Sequence, residues 1–190
     1  MEIPLFPLGT VLFPEGLLPL RIFEQRYMEM SKACLKNDAP FGVCLIREGA
    51  EVGTPATPED IGTLARIVQW DMQQLGVLQV VARGGARFRV LEQRVQADGL
   101  VVGRVEVLDD AEDTPVPEAL VACRQLLERI AAEHGERLFA PPFRFDSSAW
   151  VSGRLAEVLP LPPAAKQALL AVDDGARRLE MLHRLIVREP

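Results

Sequence analysis

The stretch MEIPLFPLGTVLFPEGLLPLRIFEQRY, residues 1–27, decides the fold of this chain. It is rich in large apolar side chains, but four prolines interrupt it, at positions 4, 7, 14 and 19. Each proline removes a backbone donor, and Glu15 and Arg21 would have to lie in lipid, so the stretch does not predict a membrane helix. Proline-bounded pieces such as Ile3–Phe6 and Val11–Phe13 favour the extended region. The stretch therefore predicts short strands at the edge of a small sheet.

A helix is predicted to begin where this stretch ends. Glu24 and Gln25 lie in its first turn, where the helix dipole favours negative charge. Tyr27, Met30 and Cys34 follow at helical spacing along one face. The sequence thus predicts one helix over about residues 24–37, ended by the Asn37-Asp38 pair.

Residues 41–108 alternate between apolar segments and turn residues. Phe41–Ile46 reads as a buried strand, and the stretch 47–61, rich in Gly, Pro and acids, reads as an exposed mobile loop. Turns are predicted at Leu75-Gly76, at Gly84-Gly85 and at Asp98-Gly99. Successive hairpins of this kind predict a closed or half-closed antiparallel barrel.

The composition changes abruptly at residues 109–117, DDAEDTPVP, which predict a flexible acidic and proline-rich linker at a domain boundary. Residues 118–190 then show helical spacing of apolar residues, with stop signals at Gly135 and Pro160 and start signals at Asp146 or Ser147, Pro162-Pro163 and Asp173-Asp174. This second part is predicted to be a small helical bundle.

The opening motifs IPLFPL and VLFPEGLLPLRIFEQRY resemble the opening signature of the Lon protease N-terminal (substrate-binding) domain family. The segments around Gly62–Ala65 and Gly85–Val90, and the helical runs at 154–170 and 178–182, are similar to that family as well. The resemblance covers nearly the whole chain. It implies an α+β fold, in which a PUA-like antiparallel β-barrel subdomain over residues 1–108 is followed by the bundle over 118–190.

The family resemblance does not extend to catalytic parts. No Gly-Lys dipeptide occurs in the chain, so the phosphate-binding loop of an ATPase is missing, and the serines at 31, 147, 148 and 152 lack the context of a peptidase nucleophile. The two histidines, His134 and His183, have no ligand-type neighbours at metal-site spacing. We therefore expect a Lon-domain protein without ATPase or peptidase parts that is no enzyme and binds no cofactor or metal.

Charge and cysteine content restrict which partners and which redox compartment we expect for the protein. The net charge of −6 and the pI near 5.1 argue against nucleic acid or an anionic membrane as the main partner. Cys34, Cys44 and Cys123 form no C-x-x-C pair and lie in apolar stretches, which favours buried thiols in a reducing compartment. No basic segment precedes the first apolar run, so we expect a cytoplasmic protein.

Six residues are candidates for a peptide-binding site or for a structural junction: Arg21, Phe23, Glu24, Arg26, Tyr27 and Trp70. Arginines beside aromatic rings offer a planar fork of donors to a peptide carboxylate or backbone. The same residues could instead pair with one another and hold the first helix to the sheet, and we favour this structural interpretation. Trp70 and Phe23, together with Phe6, Phe13, Phe41 and Phe88, are expected to lie mostly in the core, with one or two of these rings lining a groove as the alternative.

The leading hypothesis is a non-catalytic domain that binds polypeptide segments of unfolded or client proteins. Its binding surface is expected at an exposed sheet edge or in an apolar groove between the barrel and the bundle, and a separate ATPase or protease is a further candidate partner. An alternative is an RNA-binding module that uses Arg83, Arg87, Arg89 and Arg94. A small hydrolase is the least favoured alternative, because no credible nucleophile is present.

Overall fold

The computed structural model, which describes residues 1–188, contains six strands and five helices, with one helix between the second and third strands and four helices after the last strand. The strands are β1 Glu2–Leu8, β2 Leu17–Ile22, β3 Phe41–Glu48, β4 Thr57–Gln74, β5 Val77–Val95 and β6 Val101–Val107. The helices are α1 Gln25–Asn37, α2 Val121–His134, α3 Ser148–Val158, α4 Pro163–Leu170 and α5 Gly175–Arg188, with short 3₁₀ turns at Glu118–Leu120 and Gly135–Arg137. The predicted α+β class and the helix over about 24–37 are confirmed.

The six strands form one mixed sheet in the order β2-β5-β4-β3-β1-β6, and β5 also pairs with β6. Five strands thus complete a circuit of pairings, while β2 is attached to β5 alone. All pairs are antiparallel except β1 and β3, which run parallel with Leu5 opposite Gly42. The antiparallel prediction fails at this pair because the chain returns through β2 and α1, a crossover long enough to restore the strand direction.

Strand β5 corrects the turn predicted at Gly84-Gly85. The strand continues through both glycines, and its register against β4 shifts between Thr63, opposite Arg87, and Ala65, opposite Gly84. The extra residue on β5 is a bulge, which bends the strand instead of reversing it. Gly84 is required there, because a Cβ atom would overlap the carbonyl oxygen of Phe13.

The other turns and loops follow the sequence more closely. Gly76 and Gly99 adopt φ angles of 81° and 84°, in the region that favours glycine, at the turns between β4 and β5 and between β5 and β6. The loop predicted over 47–61 is shorter in the structure. Strand β3 extends to Glu48 and β4 begins at Thr57. The register shifts on both sides of the pair Ile46–Pro58, so the residues here do not alternate regularly and the sequence pattern did not reveal these strand ends.

Contacts between Cα atoms divide the chain into two compact units, Met1–Leu108 and Asp109–Pro190. The core of the first unit joins residues from the sheet and from α1. Its two clusters include Phe6, Leu12, Tyr27, Phe41, Leu78 and Val80 in one, and Leu5, Cys44, Phe88 and Val101 in the other. The predicted burial of Phe6, Phe13, Phe41 and Phe88 is confirmed.

The second unit is helical, as the sequence predicts. Ser147 caps α3 by accepting a hydrogen bond from Trp150 N at 2.9 Å, and Asp174 Oδ1 accepts one from Arg177 N at 2.9 Å at the start of α5. Leu179 and Leu182 of α5 are buried, whereas Leu185 is exposed. Residues 189–190 of the predicted bundle lie outside the described part of the chain.

The segment 109–117 is anchored rather than flexible. Val116 N donates to Asp146 O at 2.9 Å, Ser148 N donates to Thr114 O at 2.9 Å, and Asp113 Oδ1 accepts from Ala149 N at 3.0 Å. Composition alone predicted a flexible linker, because acids and prolines do not reveal backbone partners that lie far along the chain. Within residues 1–188, no helix is long and apolar enough to cross a membrane.

Candidate functional site

Strand β2 has an open edge, and it is the centre of the candidate site. In the described part of the chain it is hydrogen-bonded only to β5, from the pair Leu17–Arg83 to the pair Ile22–Leu78. Its other edge therefore presents backbone donors and acceptors, except at Pro19, which has no N–H. An open edge of this kind is able to accept another extended chain.

Two grooves meet at β2. The first, which we call the edge groove, has a volume of about 340 Å³. It is lined by Phe6, Leu8, Thr10, Leu18–Glu24, Tyr27, Glu51 and Val52. Leu18 and Leu20 pack against the core cluster, so the floor of this groove continues the apolar interior of the first unit.

The second groove, the hairpin groove, has a volume of about 510 Å³. It is lined by Pro19–Arg21 of β2, Gln69–Asp71 of β4 and Gln79–Val81 of β5. Pro19, Leu20 and Arg21 belong to both grooves, so β2 is the element that joins them. Four of the predicted site residues, Arg21, Phe23, Glu24 and Tyr27, line the edge groove, and Trp70 lines the hairpin groove together with Arg21.

The start of α1 separates the predicted site residues into two groups. Arg26 is only 6% exposed, and its Nη1 donates to Gly99 O at 3.1 Å in the β5–β6 turn. Its Nη2 is ion-paired with Glu24 Oε2 at 2.9 Å, and its guanidinium carbon lies 4.6 Å from the centre of the Tyr27 ring. Through these contacts Arg26 links the start of α1 to Glu24 and to the β5–β6 turn.

Tyr27 is equally structural. It is 4% exposed, and its ring stacks on that of Phe6 with 4.0 Å between the ring centres. Burial raises the pKa of the Tyr27 hydroxyl above its ordinary value of 10.0, against the opposing effect of the Arg26 charge. Ser31 Oγ donates to Tyr27 O at 2.8 Å one turn later, which fixes the helix further.

Arg21 and Phe23 behave differently from Arg26 and Tyr27. Both are exposed, and no hydrogen bond or ion pair within residues 1–188 engages the side chain of Arg21. Pro19, Arg21 and Phe23 alternate with Leu18, Leu20 and Ile22, so the strand directs its exposed residues to one face and its apolar residues to the other. These exposed residues are accessible to a ligand.

The structure corrects the prediction that Phe23 and Trp70 lie in the core. Phe23 is 54% exposed and Trp70 is 61% exposed. Trp70 lies opposite Val80 of β5, on the part of β4 that continues beyond Ala65, where the pairing of β4 with β3 stops. Sequence periodicity could not find this, because an extended hairpin carries the same β-rich pattern as a core strand.

Several further exposed apolar residues near the grooves were missed by the sequence analysis. They are Val52 beside the edge groove and Val68, Met72 and Leu75 on the β4–β5 hairpin. Leu75, at the turn, is the most exposed of them. The available signal was an apolar residue next to a turn glycine, where a polar residue is more usual.

The potential nucleophiles have structural hydrogen bonds or buried positions. Ser148 Oγ donates to Pro115 O at 3.0 Å and Ser152 Oγ donates to Ala149 O at 3.2 Å, while Lys166 Nζ donates to Glu157 O at 2.7 Å. The three cysteines are buried, and burial raises the pKa of each thiol. Among residues 1–188, no group of three or more His, Cys, Asp or Glu side chains is placed to hold a metal ion.

The arginines of the RNA alternative do not form a common basic surface. Arg87 is buried, whereas Arg83 lies 3.9 Å from Glu15 and Arg94 lies 2.8 Å from Glu2 in ion pairs. Of these four arginines, Arg89 is exposed without such a pair among the described residues. An RNA surface requires several cations that face the phosphates together.

The helical unit has a groove of its own. It has a volume of about 530 Å³ and is lined by Asp113–Pro115 and Phe143–Ser147. Trp150, which is buried, packs beside it, with ring centres 5.9 Å from Phe143 and 5.3 Å from Phe145. The two tryptophans of the chain, Trp70 and Trp150, therefore adjoin different grooves in different units.

The chain thus combines an α+β fold with an open-edged strand between two grooves, an arrangement that is able to take up an extended chain. The sequence matches the family described as the ATP-dependent protease La (LON) substrate-binding domain over residues 2–188. The chain belongs to this LON substrate-binding domain family, as its motifs predicted. The family supports a non-catalytic, substrate-binding role.

Individual relatives agree with this assignment. Lon protease 2 of Myxococcus xanthus is 31% identical over 98% of this chain, and protein cereblon of Xenopus tropicalis is 28% identical over 73% of it. The chain spans about a quarter of the length of these relatives, 24% of the first and 29% of the second.

Solved structures show the same fold. The Lon N-terminal domain protein from Xanthomonas campestris superimposes with a TM-score of 0.81 at 37% identity, and covers 100% of this chain and 99% of its own. The N-terminal domain of the Mycobacterium avium complex Lon protease superimposes with a TM-score of 0.69 over 100% of both chains, at 16% identity. The second likeness concerns the fold alone.

Proposed function

We propose that this domain binds extended polypeptide segments of unfolded or client proteins along the open edge of β2, without catalysing a reaction on them. The observation that carries the proposal is the position of β2, which is paired on one side only and lies where two grooves meet. A segment added to this edge gains main-chain hydrogen bonds, which depend little on its sequence.

The exposed aromatic residues support the same surface. Phe23 and Trp70 are large, accessible rings at the edge groove and the hairpin groove, and aromatic side chains contribute strongly to protein interfaces. Among the predicted site residues, we propose Arg21, Phe23 and Trp70 as contacts for the segment. Arg26, Tyr27 and Glu24 then serve as the support that holds β2 and α1 in position.

Two single-tryptophan variants test where a polypeptide binds. In Trp150→Phe only Trp70 emits, and in Trp70→Phe only Trp150 emits, so each reports on one groove. Each variant is titrated with reduced and carboxymethylated α-lactalbumin, which stays unfolded, and with native α-lactalbumin as the matched folded control. We expect a blue shift of Trp70 emission with the unfolded form and little change with the native form, because the indole ring leaves water on binding.

Two results would contradict the proposal. One is equal response to the folded and unfolded forms at high micromolar concentration. The other is a response of Trp150 alone, which would place the polypeptide in the groove of the helical unit. Trp150→Phe requires a check of thermal stability first, because Trp150 is buried among three phenylalanine rings.

We further propose that the domain delivers its bound segments to a separate ATPase or protease. The matched relatives support this form of the proposal, because in Lon protease 2 of Myxococcus xanthus the matching region is 24% of a longer chain. Immobilised wild-type protein and a Phe23→Ala, Trp70→Ala double variant should both retain the ATPase or protease from lysate, while only the wild type also retains unfolded clients. Retention of clients alone by the wild type would contradict the delivery role.

A further inference from the structure

We infer that the bound segment alternates apolar and polar residues, with an acidic side chain placed opposite Arg21. This inference rests on the proposed function of the β2 edge. It goes further by naming the chemistry of the segment, and it commits to an internal Asp or Glu rather than a chain terminus.

The alternation follows from the two faces of β2. Directly opposed residues on neighbouring strands point to the same side of a sheet, so a strand added to β2 has two rows of side chains. One row lies beside Leu18, Leu20 and Ile22, whose face is lined further by Phe6, Leu8 and Val52 in the edge groove. The other row lies beside Pro19, Arg21 and Phe23, which are exposed. The first row suits apolar side chains and the second suits polar ones.

Arg21 determines the charge that suits the polar row. It is the ionisable residue between Pro19 and Phe23, and its neighbour across the ladder to β5 is the neutral Gln79. Asp71 lies one strand further on, opposite Gln79, at a distance of about two strand spacings, roughly 10 Å, from Arg21. A strand added at the free edge of β2 lies one strand spacing from Arg21 and about three strand spacings from Asp71. The side chain of the added strand that faces Arg21 is therefore closer to the arginine than to this carboxylate.

The acids that line the edge groove are already engaged. Glu24 Oε2 is 2.9 Å from Arg26 Nη2, and Glu51 Oε1 accepts a hydrogen bond from Gly9 N at 2.6 Å. Arg21 has no such partner among the described residues. A guanidinium presents a planar fork that matches a carboxylate, so an acidic side chain opposite Arg21 gains a charge-assisted contact that Gln or Lys lacks.

The position of Arg21 argues for an internal acid. Arg21 is the middle residue of Leu18–Glu24, the part of the chain around β2 that lines the edge groove, so lining residues continue on both sides of it. A segment that ended at Arg21 would leave one end of the edge groove uncovered. A segment that passes across Arg21 contacts both ends.

The test uses the full chain and short fluorescent peptides in which valine alternates with serine. One central serine position is replaced by Glu, Gln or Lys, and acetylated and amidated ends remove the terminal charges. We expect the Glu peptide to bind wild-type protein about three- to tenfold more tightly than the Gln peptide, with Lys weakest, as for a partly exposed ion pair in an interface. Higher salt should reduce this difference.

Charge reversal sharpens the test. In Arg21→Glu the order should invert, so that the Lys peptide binds best, and this rescue cannot come from a folding defect. Arg89→Glu is the matched control, because Arg89 is also an exposed arginine of the same unit but lines neither groove. It should keep the wild-type order. A peptide of the same composition as the Glu peptide, with its valines at helical spacing, should bind more weakly than the alternating one.

The outcomes separate this inference from the proposed function. If unfolded α-lactalbumin binds but the Glu, Gln and Lys peptides bind alike, or Arg21→Glu keeps the wild-type order, the acidic preference is wrong and the binding role stands. If the helically spaced peptide binds as tightly as the alternating one, the alternation is wrong. If neither the peptides nor unfolded α-lactalbumin bind, both the inference and the proposed function fail. A Gln peptide with a free C-terminal carboxylate completes the series, and a preference for this peptide alone would assign Arg21 to chain ends and overturn the internal acid.

Discussion

Arg21–Phe23 and Glu24–Tyr27 are adjacent in the chain, yet the structure uses them in opposite ways. Arg26 and Tyr27 are buried, and they fasten α1 through Gly99 O, Glu24 and the Phe6 ring. Arg21 is exposed on β2, which has an open edge, and Phe23 is exposed directly after the end of that strand. Each half contains one arginine and one aromatic residue, so residue type does not distinguish them.

Consecutive residues of one family motif can therefore have different roles. Glu24–Tyr27 hold the first helix in place, whereas Arg21–Phe23 present exposed side chains. Strand β2 ends at Ile22 and α1 begins at Gln25, so the backbone changes direction between the two halves. The strand half alternates between the core and water, whereas the first turn of the helix faces the core. Substitutions in each half test whether Glu24–Tyr27 contribute to the free energy of unfolding while Arg21–Phe23 contribute to polypeptide binding.

The largest expected effect is the loss of the Tyr27 ring. Tyr27→Ala should lower the free energy of unfolding by about 3–5 kcal/mol, because it leaves a cavity beside Phe6. Phe23→Ala should change it by less than about 0.5 kcal/mol, because that ring is mostly in water. Urea denaturation of both variants measures the difference. Equal losses would show that the two halves form one structural unit.

The arginines give the second comparison. Arg26→Ala should lower the free energy of unfolding by about 2 kcal/mol, since Gly99 O and Glu24 lose a buried charged partner. Arg21→Ala should lie within about 0.5 kcal/mol of the wild type. The same urea series serves for the measurement, with Arg26→Lys as a variant that keeps the charge without the planar fork. A large decrease in the free energy of unfolding of Arg21→Ala would indicate that Arg21 stabilises the fold and would contradict its assignment as a ligand contact.

Polypeptide binding should depend on the exposed residues, and the effects should be smaller in free energy than those expected on stability. Phe23→Ala and Trp70→Ala should each weaken the binding of fluorescently labelled, carboxymethylated α-lactalbumin by about three- to tenfold, as for aromatic contacts at interfaces. Fluorescence anisotropy measures this. Leu185→Ala provides a control, because Leu185 is an exposed apolar residue of the helical unit that does not line either β2 groove. A similar loss in this control would indicate general stickiness instead of a site.

The smallest expected effect is on the dependence of stability on pH. The folded-state pKa of Tyr27 is raised above 10.0 by burial, so the unfolded chain loses its phenolic proton first as the pH rises. The stability that this group contributes is complete below pH 10.0 and decreases as the pH rises from there through the folded-state pKa. Tyr27 is the single tyrosine of the chain, so tyrosinate absorbance follows it without ambiguity. Tyr27→Phe should flatten this part of the profile, and an unchanged profile would assign the loss to the buried thiols.

Local signals predicted most of the fold. The prolines of the first stretch, the cap at Ser147 and the turn glycines at 76 and 99 act through neighbouring atoms, which a sequence reveals directly. The parallel β1–β3 pair and the continuous β5 strand depend on residues that are distant along the chain. A glycine pair fits a turn and a bulge equally well, and only Phe13, whose carbonyl approaches Gly84, decides between them.

The site was predicted only in part. Arg21, Phe23 and Trp70 were named from the sequence, but the two aromatic residues were expected in the core. Their exposure depends on where strands and pairings end, because Phe23 follows the last residue of β2 and Trp70 lies on β4 beyond Ala65, where the pairing with β3 stops. Residue type records that a ring prefers burial, but not how far its strand extends beyond the core.

Strand β2 also has a consequence for the order of folding. Ile22 pairs with Leu78, and all of α1, β3 and β4 lie in the loop between them, so this ladder closes only after a long loop has been closed. A polypeptide bound at the free edge stabilises that closed loop by mass action, in proportion to the logarithm of its concentration over Kd. Amide hydrogen exchange of Leu17–Ile22 should therefore slow more on polypeptide binding than amide exchange of α1. The exchange rate of β2 would then report the fraction of the protein that has a polypeptide bound.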